Sequence, residues 1–227
     1  HDKLRKFGEK KLIPIDSKLR QDGINCTASK LIDGFFDFKS YALPKLKQLS
    51  GRHNQENIAA SFAACRALGL NAESIIKQIE NFHGLPHRMQ FIGVHKNLSF
   101  YNDSKATNVN SAISSIRSLE NIFWLAGGIF KEENLLPLEK YLKNIKKSYI
   151  FGKNKLLFEE YLKGKIEYQL CENITEAFNA SVHDAELEQK EANILLAPAC
   201  ASFDQFKNFE DRGNQFIDLC KNAILEK

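Results

Sequence analysis

The chain has a single Trp and a single Met in 227 residues, and no apolar run approaches the length of a membrane span. It has no C-x-x-C pair, and its five cysteines (Cys26, Cys65, Cys171, Cys200 and Cys220) are odd in number and widely spaced. That pattern argues against a disulfide framework or a structural zinc site and fits reduced thiols in a cytoplasmic protein. No G-x-x-x-x-G-K-[ST] occurs, so these residues hold no phosphate-cradling P-loop; the absence of G-x-G-x-x-G removes the dinucleotide fingerprint. Charge of one sign is not concentrated either. The 32 Lys and Arg are set against 28 Asp and Glu, and the basic residues are scattered, so neither nucleic acid nor a membrane surface is an expected partner.

What is present is enough for aromatic-rich cores: 17 Phe and 43% apolar residues. The length allows one large or two small domains. Up to about residue 50, short apolar runs alternate with turn residues. KLIPI (11–15), SKLID (29–33) and FFDFKS (36–40) read as strands, with Asp33-Gly34 as a tight hairpin turn. A helix is predicted over about 54–68, with Ile58, Phe62 and Cys65 on one face and Gly69 as its C-terminal cap. A second is predicted over about 72–81, with Ile75, Ile76 and Ile79 apolar. Gly84-Leu85-Pro86 then breaks the pattern and divides the chain into domains over 1–86 and 87–227.

Beyond the break a hairpin (89–94 and 98–101) leads to a helix over about 108–118. Strands at 122–126, 148–151, 166–170 and 193–197 then alternate with helices around 138–142, 155–162, 175–188 and 205–224. Strict alternation with short loops predicts an α/β fold built on a doubly wound, mostly parallel sheet. Ligands on such sheets sit at the C-terminal strand ends, where Gly127-Gly128 and Pro198-Ala199-Cys200 fall. The opening HDKLRKFGEKK reads as the middle of a domain, so the chain is expected to be the C-terminal part of something longer.

Two segments carry the candidate chemistry. HRMQFIGVHKNLSFYNDSKATN (87–108) offers an anion a guanidinium, an ammonium and several hydroxyls, with one carboxylate for a sugar hydroxyl or a metal. Arg88 can clamp phosphate or form an interdomain salt bridge. Asp103 can accept hydrogen bonds from ribose, Lys105 can meet a carboxylate or phosphate, and Thr107 can cap the following helix and donate to an anion there; the bland alternative is a capping loop with a solvated lysine. The second segment, APACASFDQFKNF (197–209), brings Ser202, either an N-cap or a carboxylate-binding hydroxyl, and Phe209, either a core contact or a ligand neighbour. Two further residues stand apart. Asn54 is a plain helix N-cap or a carboxamide facing a purine edge. Lys131, beyond glycines that let backbone approach a ligand, is a weak signal alone.

Together, GRHNQENIAA (51–60), GLPHR (84–88), NDSKATN (102–108), GGIFK (127–131) and APACASFDQFKNFEDRG (197–213) resemble the Mur ligases over essentially the whole chain, and the third and fifth strings resemble the D-glutamate-adding members. The GRHN and HR elements are also shared with folylpolyglutamate synthases. The resemblance implies residues 1–86 as the end of a central ATPase domain and 87–227 as a Rossmann-like C-terminal domain. It implies an ATP- and Mg2+-dependent amide ligase of peptidoglycan synthesis, serving cell shape and division, monomeric and cytoplasmic. Its substrates would be UDP-N-acetylmuramoyl-L-alanine, D-glutamate and ATP. Asn54 would contact adenine, Arg88 the phosphates with His87 beside it, and Asp103 the ribose. Lys105 and His87 would be catalytic; Thr107, Lys131, Ser202 and the Phe209 backbone would bind D-glutamate. In the family the P-loop and metal ligands lie upstream of the region matched, so the chain alone is expected to be inactive, with no metal ligand of its own. Alternatives are a sister Mur ligase, a folylpolyglutamate synthase-like ligase, or a non-catalytic α/β binding module.

Overall fold

The runs IFWLAG and ANILL have almost no polar face, the composition of strands buried on both sides by crossover helices. In the computed structural model both are interior strands of a six-stranded sheet. The structure describes residues 12–16, 22–44, 46, 49, 52–82, 84–131 and 134–225. The chain divides into two compact units, His1–Gly84 and Leu85–Lys227.

In the first unit, β1 (Ile15–Asp16), β2 (Ile24–Cys26), β3 (Lys30–Asp33) and β4 (Lys39–Ala42) form a sheet in that order. The β1–β2 pair is parallel and the others are antiparallel. α1 (Arg52–Ala67) and α2 (Ala72–Glu80) pack Ile58, Phe62, Ile75 and Ile76 against Ile24 and Leu31. α1 ends in a Schellman closure: Gly69 at φ 84 lets the Leu70 N–H reach the Cys65 carbonyl at 3.1 Å and the Gly69 N–H the Arg66 carbonyl at 2.9 Å.

Three expectations shift here. The two-residue turn at Asp33-Gly34 is a five-residue loop, 34–38, and the strand expected at 36–40 starts at Lys39. The cause is the buried Asp33 carboxylate, whose Oδ1 accepts the Phe35 and Phe36 N–H groups at 3.1 and 2.8 Å and so curls the chain into an Asx-type turn. β2 was not foreseen, because three residues are too few to show a period. The strand expected at 11–15 is seen only as Ile15–Asp16, and Lys11, like Gly51, lies outside the described residues.

In the second unit, β5 (Gln90–His95) and β6 (Leu98–Asn102) form an antiparallel hairpin. β7 (Ile122–Gly127), β8 (Ile145–Phe151), β9 (Glu167–Leu170) and β10 (Ala192–Leu196) continue the sheet in the order β5-β6-β10-β7-β8-β9, with every pair after the hairpin parallel. α3 (Val109–Ile116), a 3-10 helix (Leu136–Asn144) and α4 (Lys155–Leu162) bury Ile113, Leu138 and Phe158 against Trp124 and Ile150 on one face. α5 (Ile174–Leu187) and α6 (Phe209–Leu225) bury Phe178 and Phe216 against Phe100, Phe123 and Tyr149 on the other. Helices on both faces of a mostly parallel sheet make the fold doubly wound. The abundant Phe is spent here: the Phe100–Phe178 and Phe178–Phe216 rings lie 5.7 and 5.6 Å apart.

Two helices differ from expectation. The segment around 138–142 is 3-10 rather than α-helical; it has no side-chain N-cap and runs straight into β8 at Ile145. The last helix starts at Phe209 rather than 205, because Asn208 Oδ1 takes the Asp211 N–H at 2.7 Å and caps it there. The five cysteines form no disulfide with one another among the described residues. Among the described residues, no helix is long and apolar enough to cross a membrane.

Candidate functional site

Because β10 inserts between β6 and β7, the loops that leave the C-terminal ends of these three strands lie side by side. Backbone bonds fasten them. The Asp103 N–H reaches the Leu196 carbonyl at 2.7 Å, and the Ala199 N–H the Ala106 carbonyl at 2.9 Å. On the other side Ile129 and Ala201 form an isolated antiparallel bridge, with N–H···O distances of 2.8 and 3.0 Å. Lys131 follows one half of this bridge by two residues and Ser202 follows the other by one. Their loops are therefore joined, although they are distant in sequence.

The glycines permit that closeness. At Gly128 (φ 129) a Cβ would sit 2.3 Å from the Ala201 carbonyl oxygen, and at Gly127 (φ 124) 1.9 Å from that of Phe151. Lys131 is exposed, and its Nζ lies 5.8 Å from the centre of the Phe203 ring. Ser202 is 1% exposed and does not cap a helix: its carbonyl accepts the Gln205 and Phe206 N–H groups at 3.2 and 3.0 Å, which turns the chain before α6.

In the β6 loop, Asp103 is buried with its Oδ2 accepting the Ser115 hydroxyl. Burial pushes its carboxyl up to about 6; the Ser115 hydroxyl, the Met89 N–H and the Arg88 charge oppose the rise without cancelling it. Arg88 itself is exposed. Lys105 is half-buried, with Nζ 3.9 Å from the centre of the Phe209 ring. Thr107 is half-buried, and the helix cap expected of it belongs instead to Asn108, whose Oδ1 accepts the Ser111 N–H at 2.8 Å.

His87, expected to be a catalytic group, is only 6% exposed and its ring faces inward. Nδ1 lies 3.0 Å from Asn102 Nδ2, the ring stands edge-on to Phe209 at 6.1 Å, and it abuts Gly213, where a Cβ would come within 2.2 Å of Nδ1. Burial lowers its pKa. So enclosed, His87 anchors the start of the unit to α6, and the Lys105 N–H bonds its carbonyl at 3.1 Å.

Asn54 belongs to the first unit. It is not an N-cap, because α1 already includes Arg52.

The residue that sequence reasoning missed is Arg212 of α6. It is fully buried, with no carboxylate within salt-bridge distance among the described residues, although the Asp204 charge acts on it. Its Nε donates to Ser104 Oγ at 3.0 Å and Nη2 to the Ser104 carbonyl at 2.9 Å, while Nη1 and Nη2 both donate to the Cys200 carbonyl at 3.1 Å. Burial pushes its pKa down to about 10. One planar fork thus clamps the β6 loop to the β10 loop. An arginine inside the apolar stripe of α6, in the string FEDRGNQF, was the available signal.

Polar groups and paired loops at the C-terminal strand ends complete a doubly wound α/β unit. The fold of MurF from Acinetobacter baumannii matches with a TM-score of 0.61 at 17% identity, covering 87% of this chain and 44% of that one. No family profile matches the chain. Curated relatives do. The UDP-N-acetylmuramoylalanine--D-glutamate ligase of Rickettsia bellii (strain RML369-C) is 46% identical over 217 residues, covering 95% of this chain and 48% of the relative. The enzyme of the same name from Rickettsia prowazekii (strain Madrid E) is 47% identical over 220 residues, covering 96% and 49%. The likeness to these ligases runs over nearly the whole of this chain, which spans about half the length of the curated relatives it matches.

Proposed function

We propose that this chain forms part of an ATP-dependent ligase that joins D-glutamate to UDP-N-acetylmuramoyl-L-alanine in peptidoglycan synthesis, a cytoplasmic enzyme acting as a monomer. The observation that supports this best is the Ile129–Ala201 bridge, which brings the Lys131 and Ser202 loops to one end of the sheet. An ammonium and a hydroxyl there suit a small dicarboxylic acceptor. The relatives' printed names supply the acceptor's identity.

In the proposed reaction the γ-phosphoryl group of ATP passes to the alanyl carboxylate, giving an acyl phosphate and ADP. The D-glutamate amine attacks the acyl carbon, the bond to the phosphate oxygen breaks, phosphate leaves with the electron pair, and the amine gives up a proton as the amide forms. Lys131, Ser202, Thr107 and the Phe209 backbone orient the acceptor, so this chain works mainly by placement and charge complementarity. Lys105 is the group presented toward the reacting centre, and His87 acts through the loop it anchors. Arg88 and Asp103 take the phosphate and ribose contacts that the family resemblance assigns. By that resemblance the Mg2+ ligands are expected upstream of the region matched.

The test is an assay of the full-length gene product with ATP, UDP-N-acetylmuramoyl-L-alanine and D-glutamate. Lys131→Met and Ser202→Ala should each raise KM for D-glutamate about 10- to 100-fold, as loss of a charge-assisted hydrogen bond does, and leave ATP affinity nearly intact. Unchanged D-glutamate use in both variants would remove the acceptor assignment.

A further inference from the structure

Five cationic side chains of the described residues rest on aromatic rings, and they divide into two kinds. Arg66 over Phe36 also pairs with Asp37 at 2.7 Å. Lys147 over Tyr149 also pairs with Asp184 at 2.5 Å, and Lys165 over Tyr161 with Glu139 at 2.9 Å. The other two, Lys105 over Phe209 at 3.9 Å and Lys131 over Phe203 at 5.8 Å, have no carboxylate within salt-bridge distance among the described residues. These two are the lysines of the candidate site, and both rings come from one short segment, 203–209.

We infer that Phe203 and Phe209 are positioning residues, aromatic platforms that hold the Lys131 ammonium ready for the carboxylates of the acceptor amino acid and the Lys105 ammonium ready for the reacting centre. The inference rests on the acceptor-binding reading above. A lysine in a ligand site needs something to limit its wandering, because a free ammonium stem loses rotamer freedom when a ligand orders it. A protein carboxylate would limit it but would compete with the ligand for the same charge. A ring face attracts the cation and supplies no competing anion, so the ammonium protons stay available. The segment carrying the rings is itself held in place. The Ser104 hydroxyl donates to the Phe209 carbonyl at 2.8 Å; the Arg212–Cys200 bonds and the Ile129–Ala201 bridge fix the chain just before Phe203, and the Lys153 N–H, donating to Asp204 Oδ2 at 2.8 Å, fixes it just after.

Phe203→Leu and Phe209→Leu in the full-length gene product test this. Loss of a cation–π contact should raise KM for D-glutamate about 2- to 5-fold in Phe203→Leu with kcat nearly unchanged, and lower kcat/KM about 2- to 5-fold in Phe209→Leu, whose lysine faces the reacting centre. Phe→Tyr at the same positions should restore these parameters, because the ring is kept. In NMR spectra the lysine ε-methylene protons under the rings should lie upfield in the wild type and return to ordinary positions in the Leu variants. The inference is overturned if Phe203→Leu keeps the wild-type KM or Phe209→Leu the wild-type kcat/KM, if Tyr fails as badly as Leu, or if the wild-type protons are unshifted. A wild type that ligates no D-glutamate overturns the functional reading and this inference together. Turnover with these parameters unchanged in the Leu variants overturns this inference alone.

Discussion

The Arg212 guanidinium gives two hydrogen bonds, both of 3.1 Å, to the single carbonyl of Cys200, and two more to Ser104. No carboxylate among the described residues lies within salt-bridge distance of it; the Asp204 charge favours the cation from farther away, and backbone and hydroxyl oxygens make its direct contacts. Arg212→Met removes these four donated bonds from the interior. A loss of about 3 kcal/mol is expected, read as a lower urea midpoint. Hydrogen exchange should quicken at 103–106 and 199–202 before it does in β8. Arg212→Lys keeps the charge but not the fork and should recover only part of the loss.

Asp103 and Ser115 supply a pH-dependent prediction. The folded carboxyl titrates near 6 against an ordinary value of 3.8, because burial disfavours its charge. A carboxyl raised in this way contributes stability that is complete below about pH 4 and is lost as pH rises through about 6. The carboxyl carbon of Asp103 should therefore show an NMR midpoint near 6. The difference in Tm between wild type and Asp103→Asn should change between pH 4 and 6 and flatten above it.

Two glycines with positive φ should respond differently to a methyl group. At Gly69 nothing lies within 4 Å of the added Cβ, so Gly69→Ala should cost about 1 kcal/mol, the strain of its φ alone. At Gly127 the Cβ would lie 1.9 Å from the Phe151 carbonyl oxygen, in the sheet itself, and Gly127→Ala should cost more than about 3 kcal/mol or abolish soluble expression. Thermal melts of the two variants side by side decide it.

Gly213 and His87 should be coupled. The ring is fixed by Asn102 and cannot step aside from a Cβ 2.2 Å away. Gly213→Ala is expected to cost about 2 kcal/mol in the wild-type background and less than about 0.5 kcal/mol once His87→Ala has removed the ring. Equal costs in both backgrounds would show that the two positions are independent.

Much of the second unit was legible in sequence because β7 and β10 are near-continuous apolar runs and the helices between strands carry apolar stripes; α4 spans the residues expected of it. The first unit was less so. β2 is three residues long, and the buried Asp33 carboxylate reshapes the β3–β4 loop through contacts that no local pattern announces. The same distinction applies to the site. Strings such as DSKATN pointed to the β6 loop, but Thr107 and Ser202 were given caps that Asn108 and Asn208 make, since neighbouring polar residues compete for one role. Arg212 escaped notice because its partner Ser104 is 108 residues away.

The insertion of β10 between β6 and β7 also bears on synthesis. A ribosome delivers β6, β7, β8 and β9 first, and the slot between β6 and β7 cannot close until the stretch from Ala192 onward has emerged. Until then the nascent unit presents two bare strand edges, the kind of surface that pairs with a neighbouring chain. A message cut short before this point therefore encodes a sheet open at its centre, and the β6, β7 and β10 loops come together only with the last strand to be made.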